Sequence, residues 1–527
     1  MTTATAEQIL DRDFGLLSDL IDCHARERGE KPALIHGENI LSYRALNVMI
    51  NRIAVALKRE GIAPGDNIVI VSDTDNASAL AFLGALRAGC TPTPLPPSAT
   101  PMHLWAMIEA CRAAVVFADH NATLALAETM ASIVRPGIVR LDRLEEWLGA
   151  GQDVPAPVTR GPQDTFNIIY SSGTTGMPKG IVHNNAMRWA QIRNFAPFGY
   201  AQAITLVATP LYSNTTLVSF LPTLAYGGTA VLLGKFDVQT FLETSQRFGI
   251  NHTMLVPIQY QRIMASPMFD RFDLSSYRVK FCTSAHFPKE LKADVLARWP
   301  GLLFEFYGMT EGGGSCTLFA NESPDKLHTV GKPGPETDIL IIDEFGKGVP
   351  QGAIGEIVGR SRTMMSGYYG RADATNAAIW ISPEGHRYIR HGDLGAFDED
   401  GFLILMGRKK DMIISGGFNV YPSDIEAVLL EHPAVADCAV IGVACAKWGE
   451  TPFAYFVSND DSQTSDDILA WVNARLGKTQ RLSGMAAVPQ LPRSQIGKVL
   501  KRELHELYLA SHPSGHASLP LPPTNGA

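Results

Sequence analysis

The sequence predicts an α/β protein in which helices alternate with strands that pair in parallel. Apolar residues recur at helical spacing over residues 42–57, and a turn at residues 61–66 leads into the β-rich run of residues 67–71. A helix-like stretch at residues 78–87 precedes the apolar run that ends at Leu95. Further strand-like runs occupy residues 115–117, 166–169 and 229–233. Such alternation is typical of layered α/β domains with parallel pairing.

A second folding unit is expected near the carboxyl end. A turn and a strand around residues 398–407 lead into a charged segment, and a helix-like stretch at residues 423–431 follows it. We therefore place a domain boundary near Lys410. Residues 512–527 are rich in Pro, Ser, Gly and His and are expected to be disordered.

The composition describes an ordinary multidomain globular protein. The chain has 527 residues, of which 46% are hydrophobic, so it can bury a large core. Its net charge of −8 gives no electrostatic reason to expect a nucleic-acid partner.

Cysteine usage and hydropathy indicate a reducing, aqueous compartment. The seven cysteines are scattered and none is in CxxC spacing, so neither a disulfide framework nor a zinc site is suggested. Charges interrupt residues 1–14, where a secretory peptide would need an apolar run, and no stretch approaches the ~18 apolar residues of a membrane span. We expect a cytoplasmic protein.

A glycine- and hydroxyl-rich loop, YSSGTTGMPKG at residues 170–180, follows a strand-like run directly. Glycines let the backbone approach an anion, hydroxyls donate hydrogen bonds, and a lysine adds positive charge. The loop is not a P-loop, because Met177 and Pro178 precede the lysine. Composition alone would favour a flexible connector. The candidate phosphate-binding residues are Ser171, Ser172, Gly173, Thr174, Thr175, Gly176 and Lys179.

This loop resembles the phosphate-binding loop of the adenylate-forming superfamily, which contains acyl-CoA synthetases, peptide-synthetase adenylation domains and beetle luciferases. The resemblance implies a large N-terminal domain of layered α/β subdomains plus a β-barrel-like subdomain, followed by a small mobile α+β domain. It places these domains at residues 1–409 and 410–511, with a tail at residues 512–527. Further motifs follow in the family's order.

The motif YGMTE, residues 307–311, resembles the family's YGxTE element. By that resemblance Tyr307 stacks on adenine, Thr310 contacts phosphate and Glu311 binds Mg²⁺. A carboxylate suits Mg²⁺, which usually keeps waters and bridges substrate phosphates. Taken alone, a single Glu would be a solvated surface residue. Gly308 and Met309 are assigned to the same nucleotide site.

The motif YIRHGDLG, residues 388–395, is similar to the family's YRTGDLG element. The resemblance makes Asp393 the acceptor of hydrogen bonds from both ribose hydroxyls. His391 stands where the family has threonine, and we interpret it as an exposed loop histidine without a catalytic function.

The charged segment GRKKD and the glycine-containing loop beyond it look like the family's hinge. The resemblance implies that Arg408 contacts ribose or phosphate and that Lys410 is the pivot of the C-terminal domain. Ser415, Gly416 and Gly417 are expected to line the pantetheine tunnel, since glycines let a ligand approach the backbone. Without the resemblance, the charge run would be a solvated turn.

Two further motifs concern the lysine and the acceptor. LPRSQIGK, residues 491–498, resembles the family's terminal lysine motif, so Lys498 is expected to bridge the substrate carboxylate and the α-phosphate. WGE, residues 448–450, is similar to an element near the pantetheine channel, which assigns Trp448 to coenzyme A. A core tryptophan followed by a turn explains the composition of WGE equally well.

The predicted acyl pocket departs from the family pattern. Ser213 occupies a position where many members have a bulky gate, and no acidic residue that could pair with an α-ammonium group occurs between Thr205 and Gly234. CTSAHFP, residues 282–288, replaces the SGGAPLP segment, so two glycines become hydroxyl residues that narrow the pocket, unless they simply end a core strand. Ser284, Ala285 and His286 are assigned to the adenine side. The pocket candidates are Ser213, Asn214, Thr283 and Gly312, together with Ser284 and Gly308, which are also assigned to the nucleotide site.

Together the motifs predict a ligase that uses ATP and Mg²⁺ to form an acyl-AMP and then transfers the acyl group to coenzyme A. The expected substrate is an aromatic, alicyclic or medium-chain monocarboxylic acid, and homodimerisation is a family-level expectation. The alternatives are an acyl-AMP ligase that loads a carrier protein, a luciferase-like oxidation, a catalytically silent nucleotide-binding protein, and a P-loop kinase or ATPase that would release ADP.

Overall fold

The structure is a computed structural model that describes residues 4–128, 136–151, 155–170, 178–459, 463–494 and 497–512. The chain forms two compact units: the first comprises Met1–Ile339 and Gly359–Ile389, and the second comprises Leu340–Val358 and Arg390–Ala527. Across the described ranges, none of the helices has the length and apolar character that crossing a membrane requires.

Helices and strands alternate along most of the described chain. The helices are α1 Ala6–Leu10, α2 Leu17–Glu27, α3 Tyr43–Arg59, α4 Asn76–Arg87, α5 Pro101–Ala110, α6 His120–Glu128, α7 Leu144–Leu148, α8 Asn185–Asn194, α9 Asn214–Ala225, α10 Val238–Phe248, α11 Pro257–Met264, α12 Lys289–Arg298, α13 Ala372–Ala377, α14 Pro422–Leu430, α15 Ser465–Asn473 and α16 Lys501–Ser511. The strands are β1 Pro32–His36, β2 Asn39–Ser42, β3 Asn67–Val71, β4 Thr91–Leu95, β5 Ala113–Ala118, β6 Gly137–Arg140, β7 Thr165–Tyr170, β8 Gly180–Asn184, β9 Ile204–Val207, β10 Thr229–Leu232, β11 His252–Leu255, β12 Val279–Cys282, β13 Leu302–Met309, β14 Gly312–Phe319, β15 Lys332–Pro333, β16 Asp338–Ile342, β17 Gly355–Arg360, β18 Gly367–Tyr368, β19 Ile379–Ile381, β20 Arg387–Phe397, β21 Leu403–Arg408, β22 Ile413–Ser415, β23 Phe418–Val420, β24 Val435–Cys445, β25 Gly449–Ser458 and β26 Met485–Ala487.

The largest sheet of the first unit is mostly parallel. In the part of the chain that the structure describes, it has nine strands in the order β15-β14-β13-β12-β11-β9-β10-β1-β2. Strands β10, β9, β11, β12 and β13 are parallel, and β13 continues into the antiparallel β14. The central strand β11 is buried along its whole length, as expected when both faces are covered. The carboxyl ends of the parallel strands meet at one edge, where open α/β sheets bind ligands.

The first unit also contains two smaller sheets. One is parallel, with the order β4-β3-β5-β6, and the other has the order β18-β8-β7. Tyr170 at the end of β7 pairs with Gly180 at the start of β8. The chain segment that contains the candidate phosphate loop therefore joins the neighbouring ends of two antiparallel strands.

The second unit contains a sheet covered by helices on both faces. β24 and β25 pair antiparallel, and β22, β23 and β26 extend this sheet. Successive residues of a strand point to opposite faces. Val440 accordingly packs in a cluster with Ile425 of α14, and Ile441 packs in a cluster with Leu504 of α16.

The α/β prediction is confirmed, and several element boundaries agree closely with the sequence pattern. The helix expected at residues 42–57 is α3, which begins after Ser42 because that hydroxyl accepts a hydrogen bond from the Ala45 N–H at 3.2 Å. The strand expected at residues 67–71 is β3. The helix expected at residues 423–431 is α14.

Candidate active site

The candidate magnesium and phosphate residues lie at the tip of a β-hairpin in the first unit. Met309 of β13 pairs with Gly312 of β14, so Thr310 and Glu311 form the turn between the strands. Gly312 has φ +82°, and a Cβ there would lie 2.1 Å from the Thr363 carbonyl oxygen. Only glycine fits this close approach, which fixes the position of the turn.

Glu311 is held through both its backbone and its carboxylate. The Met365 N–H donates to the Glu311 carbonyl at 2.8 Å, and the Tyr368 hydroxyl donates to Glu311 Oε1 at 2.8 Å. Lys179 Nζ lies 4.9 Å from the centre of the Tyr368 ring, within cation–π range. Burial, and then the charge of Glu311, raises the pKa of Tyr368, so its hydroxyl stays protonated and can donate. The structure therefore brings Lys179 and Glu311 to the same tyrosine.

A buried histidine supports the same turn. His183 Nε2 lies 2.8 Å from the Thr310 carbonyl oxygen, and its Nδ1 lies 2.7 Å from Arg188 Nη2. Because a guanidinium group only donates and a carbonyl only accepts, the imidazole is neutral with its proton on Nε2. Burial, and then the Arg188 charge, lowers the pKa of His183 well below 6.5, in agreement with a neutral ring. Sequence analysis assigned no role to His183, Arg188 or Tyr368.

The remaining predicted nucleotide residues differ in exposure. Tyr307 is buried, Met309 is half-buried and Gly308 is exposed. Ala285 is half-buried and His286 is exposed, in the connection between β12 and α12. Six residues of the phosphate loop lie outside the described residues: Ser171, Ser172, Gly173, Thr174, Thr175 and Gly176.

Two candidate acyl-pocket segments are joined by a hydrogen bond. Ser213 caps α9, since its hydroxyl accepts a hydrogen bond from the Thr215 N–H at 3.3 Å. Thr215 Oγ1 lies 2.6 Å from Ser284 Oγ, in the segment that follows β12. Ser284 has φ +85°, a left-handed conformation that favours glycine. This conformation agrees with the resemblance, in which Ser284 replaces a glycine.

The other pocket candidates have different surroundings. Asn214 is the first residue of α9, directly after Ser213. The Thr283 hydroxyl donates to the Phe306 carbonyl at 2.8 Å, and this hydrogen bond links the residue that follows β12 to the neighbouring strand β13. Through Thr215, Ser284 is therefore joined to the first turn of α9, which Ser213 caps and Asn214 begins.

In the second unit, Asp393 and Arg408 form an ion pair. They lie opposite each other on β20 and β21, with Arg408 Nε 2.8 Å from Asp393 Oδ1. Arg408 also donates to the His391 carbonyl at 3.3 Å. His391 itself is only 3% exposed and lies within β20, so its interpretation as an exposed loop histidine is wrong. The reason is that His391 belongs to the 11-residue strand β20 rather than to a loop, although Gly392 beside it has φ +68°.

The glycine loop and the WGE element are in contact within the second unit. Gly416 and Gly417 join β22 to β23 with φ +59° and +81°, as a two-residue type I′ turn requires. The Gly416 N–H donates to the Trp448 carbonyl at 2.8 Å. A Cβ on Gly416 would lie 2.4 Å from the Trp448 ring. Trp448 therefore packs against this turn, while Ser415 pairs with Gly449 in the sheet.

Lys498 lies in a short turn that several hydrogen bonds hold. The Ser494 N–H donates to the Lys498 carbonyl at 2.8 Å, and the Lys498 N–H donates to the Ser494 hydroxyl at 3.1 Å. Arg493 donates to the Gly497 carbonyl at 2.7 Å and pairs with Asp437 at 2.6 Å. Because Asp437 belongs to β24, the backbone of Lys498 is anchored to the central sheet of the unit.

The predicted hinge residue Lys410 is exposed in the short 3₁₀ turn Lys409–Asp411. Its neighbour Lys409 pairs with Glu356 at 2.8 Å, and Arg390 pairs with the same carboxylate at 2.5 Å. Glu356 is 5% exposed, so Lys409 and Arg390 compensate its buried negative charge. This ion-pair network therefore anchors the residue that directly precedes Lys410.

The fold and the ordered motifs define an adenylate-forming enzyme. A family model described as "AMP-binding enzyme" matches residues 21–369, and one described as "AMP-binding enzyme C-terminal domain" matches residues 424–498. The chain belongs to the AMP-binding enzyme family.

Relatives and solved structures match over most of their lengths. Feruloyl-CoA synthase of Amycolatopsis sp. is 32% identical, over 92% of this chain and 97% of the relative. Indoleacetate–CoA ligase of Aromatoleum aromaticum is 30% identical, over 93% of this chain and 98% of the relative. The crystal structure of ATP-bound MatB from Rhodopseudomonas palustris is 27% identical, with a TM-score of 0.83, over 93% of this chain and 99% of that chain. The enzyme is an AMP-forming acid–thiol ligase, whose substrates are a carboxylic acid, ATP and coenzyme A.

Proposed function

We propose that the enzyme joins an aromatic monocarboxylic acid to coenzyme A through an acyl-AMP. The observation that carries this proposal is the uncharged character of the candidate acyl pocket, which consists of Ser213, Asn214, Thr283, Ser284 and Gly312. None of these residues carries a charge that could form an ion pair with a second carboxylate or with an α-ammonium group. The names of the two relatives above, which refer to feruloyl and indoleacetate groups, support an aryl acid. An uncharged pocket is also compatible with alicyclic and medium-chain monocarboxylic acids as substrates.

In the first half-reaction, a carboxylate oxygen of the acid attacks the α-phosphorus of ATP, and pyrophosphate leaves as acyl-AMP forms. Two anions approach each other, so the residues of the chain contribute mainly by electrostatic stabilisation. We assign Lys498 to the carboxylate and the α-phosphate, and Lys179 and Thr310 to the phosphates. Asp393 would accept hydrogen bonds from the ribose, with Arg408 holding its carboxylate in place.

The Glu311 carboxylate is a suitable ligand for a Mg²⁺ ion that is bound to the phosphates of ATP. Mg²⁺ commonly binds one or two protein carboxylates together with waters and phosphate oxygens. Glu311 Oε1 accepts from Tyr368, and no other side chain in the described ranges donates to this carboxylate. Oε2 therefore suits a metal ligand. When bound, Mg²⁺ would neutralise phosphate charge as a Lewis acid.

In the second half-reaction, the thiol of coenzyme A attacks the acyl carbon, and AMP leaves with the former carboxylate oxygen. We propose that Ser415, Gly416 and Gly417 line the path of the pantetheine arm, with Trp448 supporting their turn. Rotation at Lys410 would separate the two half-reactions, as the family resemblance implies.

Replacing Tyr368 with Phe should raise the Mg²⁺ concentration for half-maximal pyrophosphate release about 10-fold, a typical loss when the partner of a metal ligand is removed. Phe keeps the ring beside Lys179 and removes the hydroxyl that orients Glu311. Mg²⁺ titrations measure the change. Tyr369→Phe is the matched control, because the Tyr369 hydroxyl accepts from Asn67 instead. An unchanged Mg²⁺ dependence in Tyr368→Phe would contradict the assignment of Glu311.

Replacing Ser284 with Gly should broaden the range of acids that the enzyme accepts. The change removes left-handed strain of about 1–2 kcal/mol and a hydrogen bond of about 1 kcal/mol, so the free energy of unfolding should change little. The opened space should raise kcat/KM for bulky ring-substituted acids about 10-fold relative to small acids. Thr215→Ser, which keeps a hydroxyl beside Ser284, is the control. An unaltered ratio would place Ser284 outside the acyl pocket.

A product assay over aromatic, alicyclic, fatty, dicarboxylic and α-amino acids tests the proposed function. Each acid is incubated with ATP and Mg²⁺, with and without coenzyme A, and AMP, ADP, pyrophosphate and thioester are quantified. We expect an aromatic monoacid to give AMP, pyrophosphate and a thioester. A dicarboxylic or α-amino acid as the best substrate would contradict the pocket assignment.

The same assay separates the alternatives. Acyl-AMP that coenzyme A never consumes would indicate a carrier protein as the acceptor. No pyrophosphate with any acid would indicate a catalytically silent nucleotide-binding protein, and ADP as the product would indicate phosphoryl transfer.

A further inference from the structure

We infer that His183 is a positioning residue that fixes the Thr310–Glu311 turn through the Thr310 carbonyl, an inference that rests on the proposed role of Glu311 in binding Mg²⁺. His183 does not act on the reacting atoms itself, because its Nε2 proton is donated to a backbone carbonyl. Its effect is to hold the peptide that precedes Glu311 in one orientation.

The histidine is held firmly enough for this role. His183 is fully buried, and Arg188, which donates to its other ring nitrogen, is 1% exposed. Arg188 also donates to Asn167 Oδ1 at 2.9 Å and to Gln191 Oε1 at 2.5 Å. Three acceptors therefore fix the guanidinium group, and the guanidinium group fixes the tautomer and the tilt of the imidazole.

The position of His183 in the fold links the turn to the strand that leaves the candidate phosphate loop. His183 lies in β8, which begins at Gly180, and β8 pairs with β18, in which Tyr368 opposes Ile181. His183, which binds the Thr310 carbonyl, and Tyr368, which binds the Glu311 carboxylate, thus belong to neighbouring strands. A displacement of this small sheet would move both supports together.

Two substitutions separate the donor function of His183 from its packing. In His183→Asn, the amide oxygen can still accept from Arg188, but the side chain is too short to reach the Thr310 carbonyl. In His183→Gln, the amide N–H can reach the position of Nε2 and donate. His252→Asn is the matched control, because His252 is also a buried histidine bonded to a carbonyl, that of Phe198 at 2.7 Å.

Hydrogen–deuterium exchange of the enzyme without ligands is the first readout. We expect the amides of residues 305–316 to exchange about 10-fold faster in His183→Asn than in the wild type, because local opening becomes easier. His183→Gln and His252→Asn should match the wild type in this segment. Equal exchange in the Asn variant, the Gln variant and the wild type would overturn the inference. If His183→Asn does not fold, Arg188→Gln, which removes the group that orients the ring, carries the same expectation.

ATP–pyrophosphate exchange is the second readout. In His183→Asn, kcat should fall about 10- to 100-fold, the range for partners of metal ligands, while the KM for the acid stays unchanged. His183→Gln should recover most of this loss. Equal losses in the Asn and Gln variants would overturn the inference, since packing alone would then explain them. If the proposed function is wrong, the wild type too will show no ATP–pyrophosphate exchange. The difference in hydrogen–deuterium exchange between His183→Asn and the wild type does not depend on that function and should remain.

Discussion

Replacing Lys498 with Ala is expected to lower the rate of acyl-AMP formation about 100- to 1000-fold, the usual loss when one donor to developing charge is removed. The attacking carboxylate and the α-phosphate are both anionic, and Lys498 is the group assigned to bridge them. The turn around Lys498 should keep its conformation in the variant, because Arg493 and Ser494 hold it through hydrogen bonds to backbone carbonyls, which alanine also has. ATP–pyrophosphate exchange measures this half-reaction directly.

The second half-reaction provides the internal control for Lys498→Ala. Synthetic acyl-AMP supplied with coenzyme A should give thioester at nearly the wild-type rate, since this step does not require the bridging ammonium group. Lys478→Ala, at an exposed lysine of the same unit, should leave both steps unchanged. Retention of wild-type pyrophosphate exchange in Lys498→Ala would refute the assignment of Lys498.

Replacing Gly416 with Ala is expected to slow acyl transfer to coenzyme A about 100-fold, the scale that a displacement of about 1 Å can produce, while adenylation continues. A Cβ at this position would lie 2.4 Å from the Trp448 ring, so the turn or the tryptophan must move. Acyl-AMP should therefore accumulate. Single-turnover analysis of acyl-AMP and thioester measures the two steps separately.

Gly417→Ala is the matched control for Gly416→Ala. Gly417 also has a positive φ, +81°, but a Cβ there would meet nothing within 4 Å. Both variants thus carry backbone strain, and only Gly416→Ala disturbs Trp448. If the two variants slow thioester formation equally, the packing of Trp448 against the turn has no special part in acyl transfer.

Local sequence patterns were sufficient to predict much of the fold. Buried strands such as β3 are continuous apolar runs between turn residues, and α3 combines helical periodicity with a serine cap. His391 shows where local reading fails. Its neighbour Gly392 and the surrounding charges suggest a loop, but the segment belongs to the 11-residue strand β20, and the histidine is buried there.

The missed site residues depend on contacts between distant parts of the chain. His183 and Thr310 are 127 residues apart in the sequence, and Tyr368 and Glu311 are 57 residues apart. No local spacing reveals such pairs. The resemblance places Ser284 at a glycine position, which agrees with its φ of +85°, but its hydrogen bond to Thr215 depends on the fold.

The most direct test of acyl adenylation follows an oxygen label from the acid into AMP. The acid that gives the fastest turnover is prepared with ¹⁸O in both carboxylate oxygens and incubated with ATP, Mg²⁺ and coenzyme A, and the products are analysed by mass spectrometry. Attack of the carboxylate on the α-phosphorus, followed by thiol attack on the acyl carbon, must transfer one ¹⁸O to AMP, and this is the expected result. Unlabelled AMP, or label found in inorganic phosphate with ADP as the product, would show that no acyl-AMP forms.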